Sequence, residues 1–326
     1  MQRREFITLL GSAVAAWPLA ARAQPVMPVI GFIRDGSAEP NARYAAAFRK
    51  GLNDTGYVSG QNVTIEYHWL EGKYDQLPAL MADLVRRRVA VIATPGAVPA
   101  QAAKAATAVV PIVFGVGEDP VKLGLVGSLA RPGGNVTGIN FFAQEAVAKR
   151  LRLLHELVPK AVRIAVLVNQ ANASVVETTV HEVQRVAPGM GLQIEILNAS
   201  TIGEIDAAFA TLARERLDAL LVAGDAFLIS RRVQLATLTA RDRIPAAYGT
   251  REPVEAGGLM SYGTDISDAF RQIGVYTGSI LKGAKPADLP VLQSTKFEFV
   301  INLHTARALG IEVPPGLFSI ADEVIE

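Results

Sequence analysis

Polar side chains stand just beyond several short apolar runs, and together they suit the holding of a small charged molecule. Ser37 follows the run Val29 to Ile33, Thr94 and Pro95 follow Val89 to Ala93, Asp119 follows Pro111 to Phe114, and Asp225 follows Ala219 to Ala223. In open parallel sheets, ligands collect beyond the carboxyl ends of the strands, where helix N-termini present unpaired N–H groups. Ser37, Thr94 and the N–H groups after Pro95 can bind a carboxylate, whereas Asp119, Asp225 and Asp265 can meet an ammonium. Asn169 and Gln170 offer amide hydrogen bonds, and Tyr248, Phe227 and Tyr262 offer flat apolar surface. Asp119 also precedes Pro120, the order expected of an N-cap followed by the first residue of a helix.

Signatures of bond-breaking chemistry are missing. The chain has no Gly-x-Ser-x-Gly elbow and no His-Glu-x-x-His, and its four histidines, His68, His155, His181 and His304, are dispersed. The stretch Gly115 to Pro120 starts like a dinucleotide fingerprint, but Pro120 stands where a third glycine would let the helix pack closely. Arg131 to Gly138 is glycine-rich, yet no lysine follows in P-loop spacing, so it reads as a turn. No metal or cofactor is therefore expected, and no enzyme activity. An exported hydrolase using Asp119 or Asp225 as a base is the remaining catalytic alternative.

The elements that must position these residues follow one programme used twice. Strands are expected at Val29 to Ile33, Val63 to Tyr67, Val89 to Ala93 and Pro111 to Phe114, separated by helices Arg43 to Asp54, Tyr74 to Arg87 and Val98 to Ala108. About 130 residues later come the strands Ile164 to Val168, Gln193 to Leu197, Ala219 to Ala223 and Pro245 to Tyr248. Their helices are Ser174 to Val186, Ile205 to Arg214 and Phe227 to Arg241. Such β-branched runs alternating with helices give an α/β fold of two Rossmann-like lobes with parallel sheets. Ile139 to Phe142 with helix Glu145 to Leu157 makes the first passage between lobes. Leu259 to Tyr262, helix Ile266 to Leu281, and Phe297 to Ile301 with His304 to Leu309 imply further passages. The first lobe is expected to hold residues 24–142 plus about 263–285, and the second 143–262 plus about 286–326.

The N-terminus carries the parts of an export leader. Arg3 and Arg4 lead into the apolar run Leu9 to Leu19, and Ala21-Arg22-Ala23 offers a small-x-small cleavage site, so residues 1–23 are expected to be removed in the periplasm. The paired arginines suggest the twin-arginine route, although Gln2 stands where a Ser or Thr is usual. Loss of Arg3, Arg4, Arg22 and Glu5 turns 32 basic and 31 acidic residues into 29 and 30. That balance excludes a nucleic-acid binder and a polybasic membrane patch. The absence of cysteine excludes disulfides, thiolate chemistry and a lipidated N-terminal cysteine.

Several stretches resemble the substrate-binding proteins of ABC transporters of the tryptophan/tyrosine-binding type. They are Gly51 to Tyr57 with Gly60 to Val63, Thr94-Pro95, Pro111 to Phe114, Asp119-Pro120, Arg131 to Gly138, Leu281 to Gly283 with Pro286 to Asp288, and Val300 to Leu303 with Ala306 to Gly310. The resemblance implies a type I periplasmic-binding-protein architecture hinged by three crossings. It also implies a monomer that captures an aromatic amino acid, or an aromatic or organic acid, and delivers it to a permease in the inner membrane. A periplasmic sensor subunit shares that architecture. In the family the residues after Thr94-Pro95 and around Asp119 look like contacts of one lobe, with Asn169 and Asp225 opposite. The sequence departs from the family at Arg34-Asp35-Gly36-Ser37, and an arginine there suits a ligand with an extra carboxylate or without an amine.

Overall fold

The computed structural model describes residues 27–39, 41–141 and 143–326. The expected leader, residues 1–23, lies outside them. Two sheets organise the chain, and most of their strands run parallel. The first contains β1 (Val29–Arg34), β2 (Thr64–Trp69), β3 (Val91–Pro95), β4 (Ile112–Val116) and β5 (Val136–Asn140), joined by β11 (Leu292–Gln293). The second contains β6 (Arg163–Val168), β7 (Gln193–Asn198), β8 (Ala219–Val222), β9 (Ala246–Tyr248) and β10 (Met260–Thr264), extended by β12 (Phe297–Asn302) and β13 (Glu323–Ile325). Their orders are β11-β5-β4-β3-β1-β2 and β13-β12-β10-β9-β8-β6-β7, so the first five strands of each half occupy the same places.

Alternation explains the first sheet. Ile30, Phe32, Val91, Ala93 and Val113 fall on one face, against Phe48 and Leu52 of α1 (Ala42–Asp54) and Phe270 and Ile273 of α10 (Ile266–Leu281). Ile33, Ile92, Ile112 and Phe114 fall on the other, against Met81 and Leu84 of α2 (Leu77–Arg86) and Ala100 and Ala103 of α3 (Ala97–Ala106). Both faces are covered, as parallel sheets require, and each fully buried large apolar side chain stabilises the lobe by about 1.5–3 kcal/mol. Helix α10 follows β10 of the second sheet but packs on α1 of the first. A Cβ at Gly274 would lie 2.1 Å from the Phe48 carbonyl oxygen, and one at Gly51 only 1.9 Å from that of Arg271, so these glycines permit the close approach.

The second sheet is enclosed by α4 (Ala143–Leu157), α5 (Ala173–Val186), α6 (Ile202–Arg214), α7 (Ala226–Ser230) and α8 (Arg232–Asp242). The short helices α9 (Glu252–Glu255), α11 (Leu303–Leu309) and α12 (Pro315–Ile320) complete the chain. Three boundaries differ from expectation. The helix foreseen over 227–241 is broken at Arg231, whose φ of −95° and ψ of 15° leave the helical region. Pro120 opens a turn over 120–124 rather than a helix. Residues 286–293, expected in the second lobe, return to the first, because β11 pairs in parallel with β5 through Leu292 and Ile139. The chain therefore passes between the sheets after β5, after β10 and between β11 and β12.

Candidate functional site

At the first lobe's carboxyl edge, β1 ends on Arg34 beside Thr94 and Pro95 of β3. The Arg34 Nε donates to Asn41 Oδ1 at 2.6 Å and Nη1 to the Pro95 carbonyl at 3.5 Å. Its guanidinium lies over the rings of Phe270 at 4.6 Å and Tyr44 at 5.1 Å, which themselves stack at 4.9 Å. Cation–π attraction holds the charge where water is scarce. Burial lowers the Arg34 pKa, opposed by the fields of Tyr44, Glu252 and Asp35. Thr94 is fully buried and its Oγ1 has no hydrogen-bond partner. Asp35 accepts from the Gly72 N–H at 2.9 Å and the Tyr74 hydroxyl at 2.5 Å. Ser37 contributes its carbonyl, which accepts from Asn41 at 2.8 Å. Asp119 does cap a turn, accepting from the N–H groups of Val121 at 2.8 Å and Lys122 at 3.3 Å.

The second lobe's edge is wired differently. Asp225 is 3% exposed; its Oδ1 accepts from Asn169 Nδ2 at 3.0 Å and from the N–H groups of Phe227 and Leu228, and its Oδ2 accepts from Asn172 Nδ2 at 3.0 Å. The carboxylate is thus a helix cap and an amide anchor at once. Asn169 is also buried, with its Oδ1 accepting from the Ala171 N–H. Tyr248 turns away from this edge: its ring is in the core and its hydroxyl lies 3.3 Å from Thr239 Oγ1. It therefore offers no cleft surface. Tyr262 stacks on Phe297 of the neighbouring strand at 5.8 Å and meets Phe299 edge-on at 6.3 Å. Arg150 of α4, which the sequence reading passed over, reaches beneath this edge and donates to the carbonyls of Tyr262 at 2.8 Å and Val222 at 3.4 Å. The sign of it was present, since Arg150 falls in the apolar stripe that Val147, Leu151, Leu153, Leu154 and Leu157 form along α4.

Polar links join the lobes. The Tyr44 hydroxyl donates to Glu252 Oε1, and Arg43 lies 3.7 Å from Glu252 and 3.2 Å from Glu255. At the crossings, Thr264 Oγ1 donates to the Phe141 carbonyl at 2.5 Å and the Ser294 N–H to that of Asn140 at 2.9 Å. Asp265 caps α10 through the Asp268 N–H and pairs with Lys296 at 2.8 Å, so it belongs to the hinge rather than to either edge. Burial raises the Tyr74 phenol first, then the Asp35 bond, then the charges of Asp35 and Asp225. The structure thus brings Arg34, Thr94 and Pro95 together on one edge, and Asn169 with Asp225 on the other. Among the described residues no group of three His, Asp or Glu side chains is disposed to hold a metal.

Two α/β lobes of matching topology, crossed three times by the chain, define a type I periplasmic-binding-protein fold. A LacI-family regulator from Bifidobacterium animalis shares that fold at 11% identity, with a TM-score of 0.60 over 83% of this chain and 95% of that one. The chain belongs to the family of ABC transporter substrate binding proteins, whose model matches residues 37–325. It is 28% identical to a tyrosine-binding protein of Clostridioides difficile over 81% of this chain and 76% of that protein. An ABC domain from Streptococcus pneumonia, solved in complex with L-Trp, is 28% identical, with a TM-score of 0.81 over 91% of this chain and 99% of that one. A ligand-free, open substrate binding protein from Clostridium difficile is 26% identical with the same coverage, and its TM-score is 0.71.

Proposed function

We propose that this chain is the periplasmic capture component of an ABC importer, closing its two lobes on an aromatic amino acid or an aromatic or organic acid and presenting it to an inner-membrane permease. The observation that carries the reading is the pair of polar carboxyl edges, Arg34 with Thr94 and Pro95 on the first lobe and Asn169 with Asp225 on the second, in two lobes that the chain crosses three times. Residues Arg34, Ser37, Thr94, Pro95 and Asp119 would contact the ligand from the first lobe, and Asn169 and Asp225 from the second. The closing bodies are residues 27–140 with 266–293, and 143–264 with 297–326. A ligand bridging both edges favours the closed arrangement, and the permease reads that arrangement. The tyrosine and L-Trp of the two relatives support a small ligand with an acid group. The chain would be freed by cleavage near Ala23 and act as a monomer; no helix of the described residues is long and apolar enough to cross a membrane. No reaction is assigned to it.

The test is a thermal-shift panel of amino acids, aromatic acids and dicarboxylates on the purified chain. A ligand at 100 times its dissociation constant adds about 2.7 kcal/mol to the folded state and raises the melting temperature by several degrees. Silence across the panel, on protein shown to be folded and ligand-free, would sink the reading.

A further inference from the structure

Arg150 is buried at the second lobe's carboxyl edge and Arg34 is partly buried at the first lobe's, and both are held by neutral oxygens. Arg34 is bonded to an amide and a carbonyl oxygen, Arg150 to two carbonyls, and no carboxylate of the described residues forms an ion pair with either. Elsewhere the arginines near the crossings are matched: Arg43 with Glu255, Arg251 with Glu298, and Arg271 with Asp54. A buried charge without a counter-charge is costly, and folds ordinarily avoid it. Burial brings the Arg150 pKa down to about 10, so the guanidinium keeps its charge at neutral pH.

Arg150 also lies where a ligand would feel it. A Cβ placed on Gly249 would come within 3.1 Å of its Nη2 and 3.2 Å of the Gly224 Cα. These two glycines follow β9 and β8, so the edge over the guanidinium is bare backbone. On Arg150's side of the cleft the acidic group that would answer an ammonium is occupied: Asp225 already accepts four bonds.

Resting on the capture reading above, we infer that the cleft selects a carboxylic acid lacking an α-ammonium group, with Arg150 as the specificity-determining cation and Arg34 adding charge of the same sign from the other lobe. The ligand's carboxylate supplies a counter-charge for Arg150, which pairs with no carboxylate of the described residues. A zwitterionic amino acid offers the same carboxylate but must also place an ammonium beside Arg150 and an Asp225 whose acceptor sites are filled.

Calorimetric titration of the full chain with matched pairs tests this: 3-(4-hydroxyphenyl)propanoate against tyrosine, and indole-3-propanoate against tryptophan. The deaminated acid of at least one pair should bind about tenfold or more tightly than its amino acid. Its primary amide should bind far more weakly. Arg150→Gln should erase most of that acid-over-amide preference while Arg150→Lys keeps it; a merely structural arginine would change the affinities for acid and amide together. Should R150Q fail to fold, Arg34→Gln is read the same way, with a partial loss expected. Amino acids binding as tightly as their deaminated partners, or an acid-over-amide preference intact in the folded variants, would overturn the inference and leave capture standing. Binding of none of these ligands by folded chain would overturn the inference, and silence across the wider thermal-shift panel as well would defeat both.

Discussion

The two lobes repeat one topology but solve their carboxyl edges by opposite means. In the first, charge is held by aromatic rings: Arg34 lies over Phe270 and Tyr44, and Thr94 keeps a hydroxyl with no partner. In the second, charge is held by hydrogen bonds: Asp225 is locked by Asn169, Asn172 and two backbone N–H groups. A duplicated backbone fixes where an edge residue sits, and its local partners decide what that residue can still do. An edge built on rings leaves its polar atoms available, while an edge built on amides spends them.

Breaking the rings should produce the largest effect. Phe270→Ala removes a fully buried side chain that touches Tyr44, Phe32 and Arg34, and should destabilise the protein by about 3–5 kcal/mol in urea unfolding. Asp225→Ala deletes a cap and orphans two amides, so a loss of about 2–3 kcal/mol is expected in the same measurement. A loss as large as that of F270A would mean the second edge matters equally to the core. Thr94→Val should stay within about 1 kcal/mol of the parent, because the hydroxyl it removes is already unpaired. A large destabilisation would show that Thr94 has a partner in solution. Tyr44→Phe cuts the link to Glu252 with little change in packing, and small-angle scattering of the ligand-free chain should show a wider molecule. The smallest effect concerns the hinge. Burial of Asp265 raises its pKa, but the Lys296 bond and the N–H groups of Asp268 and Ser267 outweigh it, leaving it below 3.8. Its contribution is thus present above that pH and lost as pH falls through the lowered value. The stability difference between the parent and Asp265→Asn should shrink on acidification below 3.8; a constant difference would contradict the assignment.

Local pattern made much of this legible. Apolar β-branched runs flanked by helical spacing located most of the strands and placed Arg34, Thr94, Asn169 and Asp225 at or just past strand ends, because those positions follow from where each run stops. Asp119 before Pro120 correctly announced a cap, although the chain there turns only once before leaving the helical path. Tyr248 was misjudged for a simple reason. Both faces of a parallel sheet are buried, so no polar alternation reveals which way the last strand residue points, and packing turned this one toward Thr239. Strand β11 has two residues and no pattern to detect; it exists because β5 offers it an edge.

Sequence by itself thus determined the duplicated α/β programme, the strand ends and the residues that stand there, since these rest on short-range periodicity and capping. Only the tertiary structure decided which of those residues remain chemically free. It returned β11 to the first lobe, tied up Asp225 with two asparagines from a separate loop, and drew Arg150 to a buried place beneath Gly224 and Gly249. Those outcomes depend on contacts between residues far apart in the chain, where desolvation and the supply of partners, rather than local propensity, set the energy.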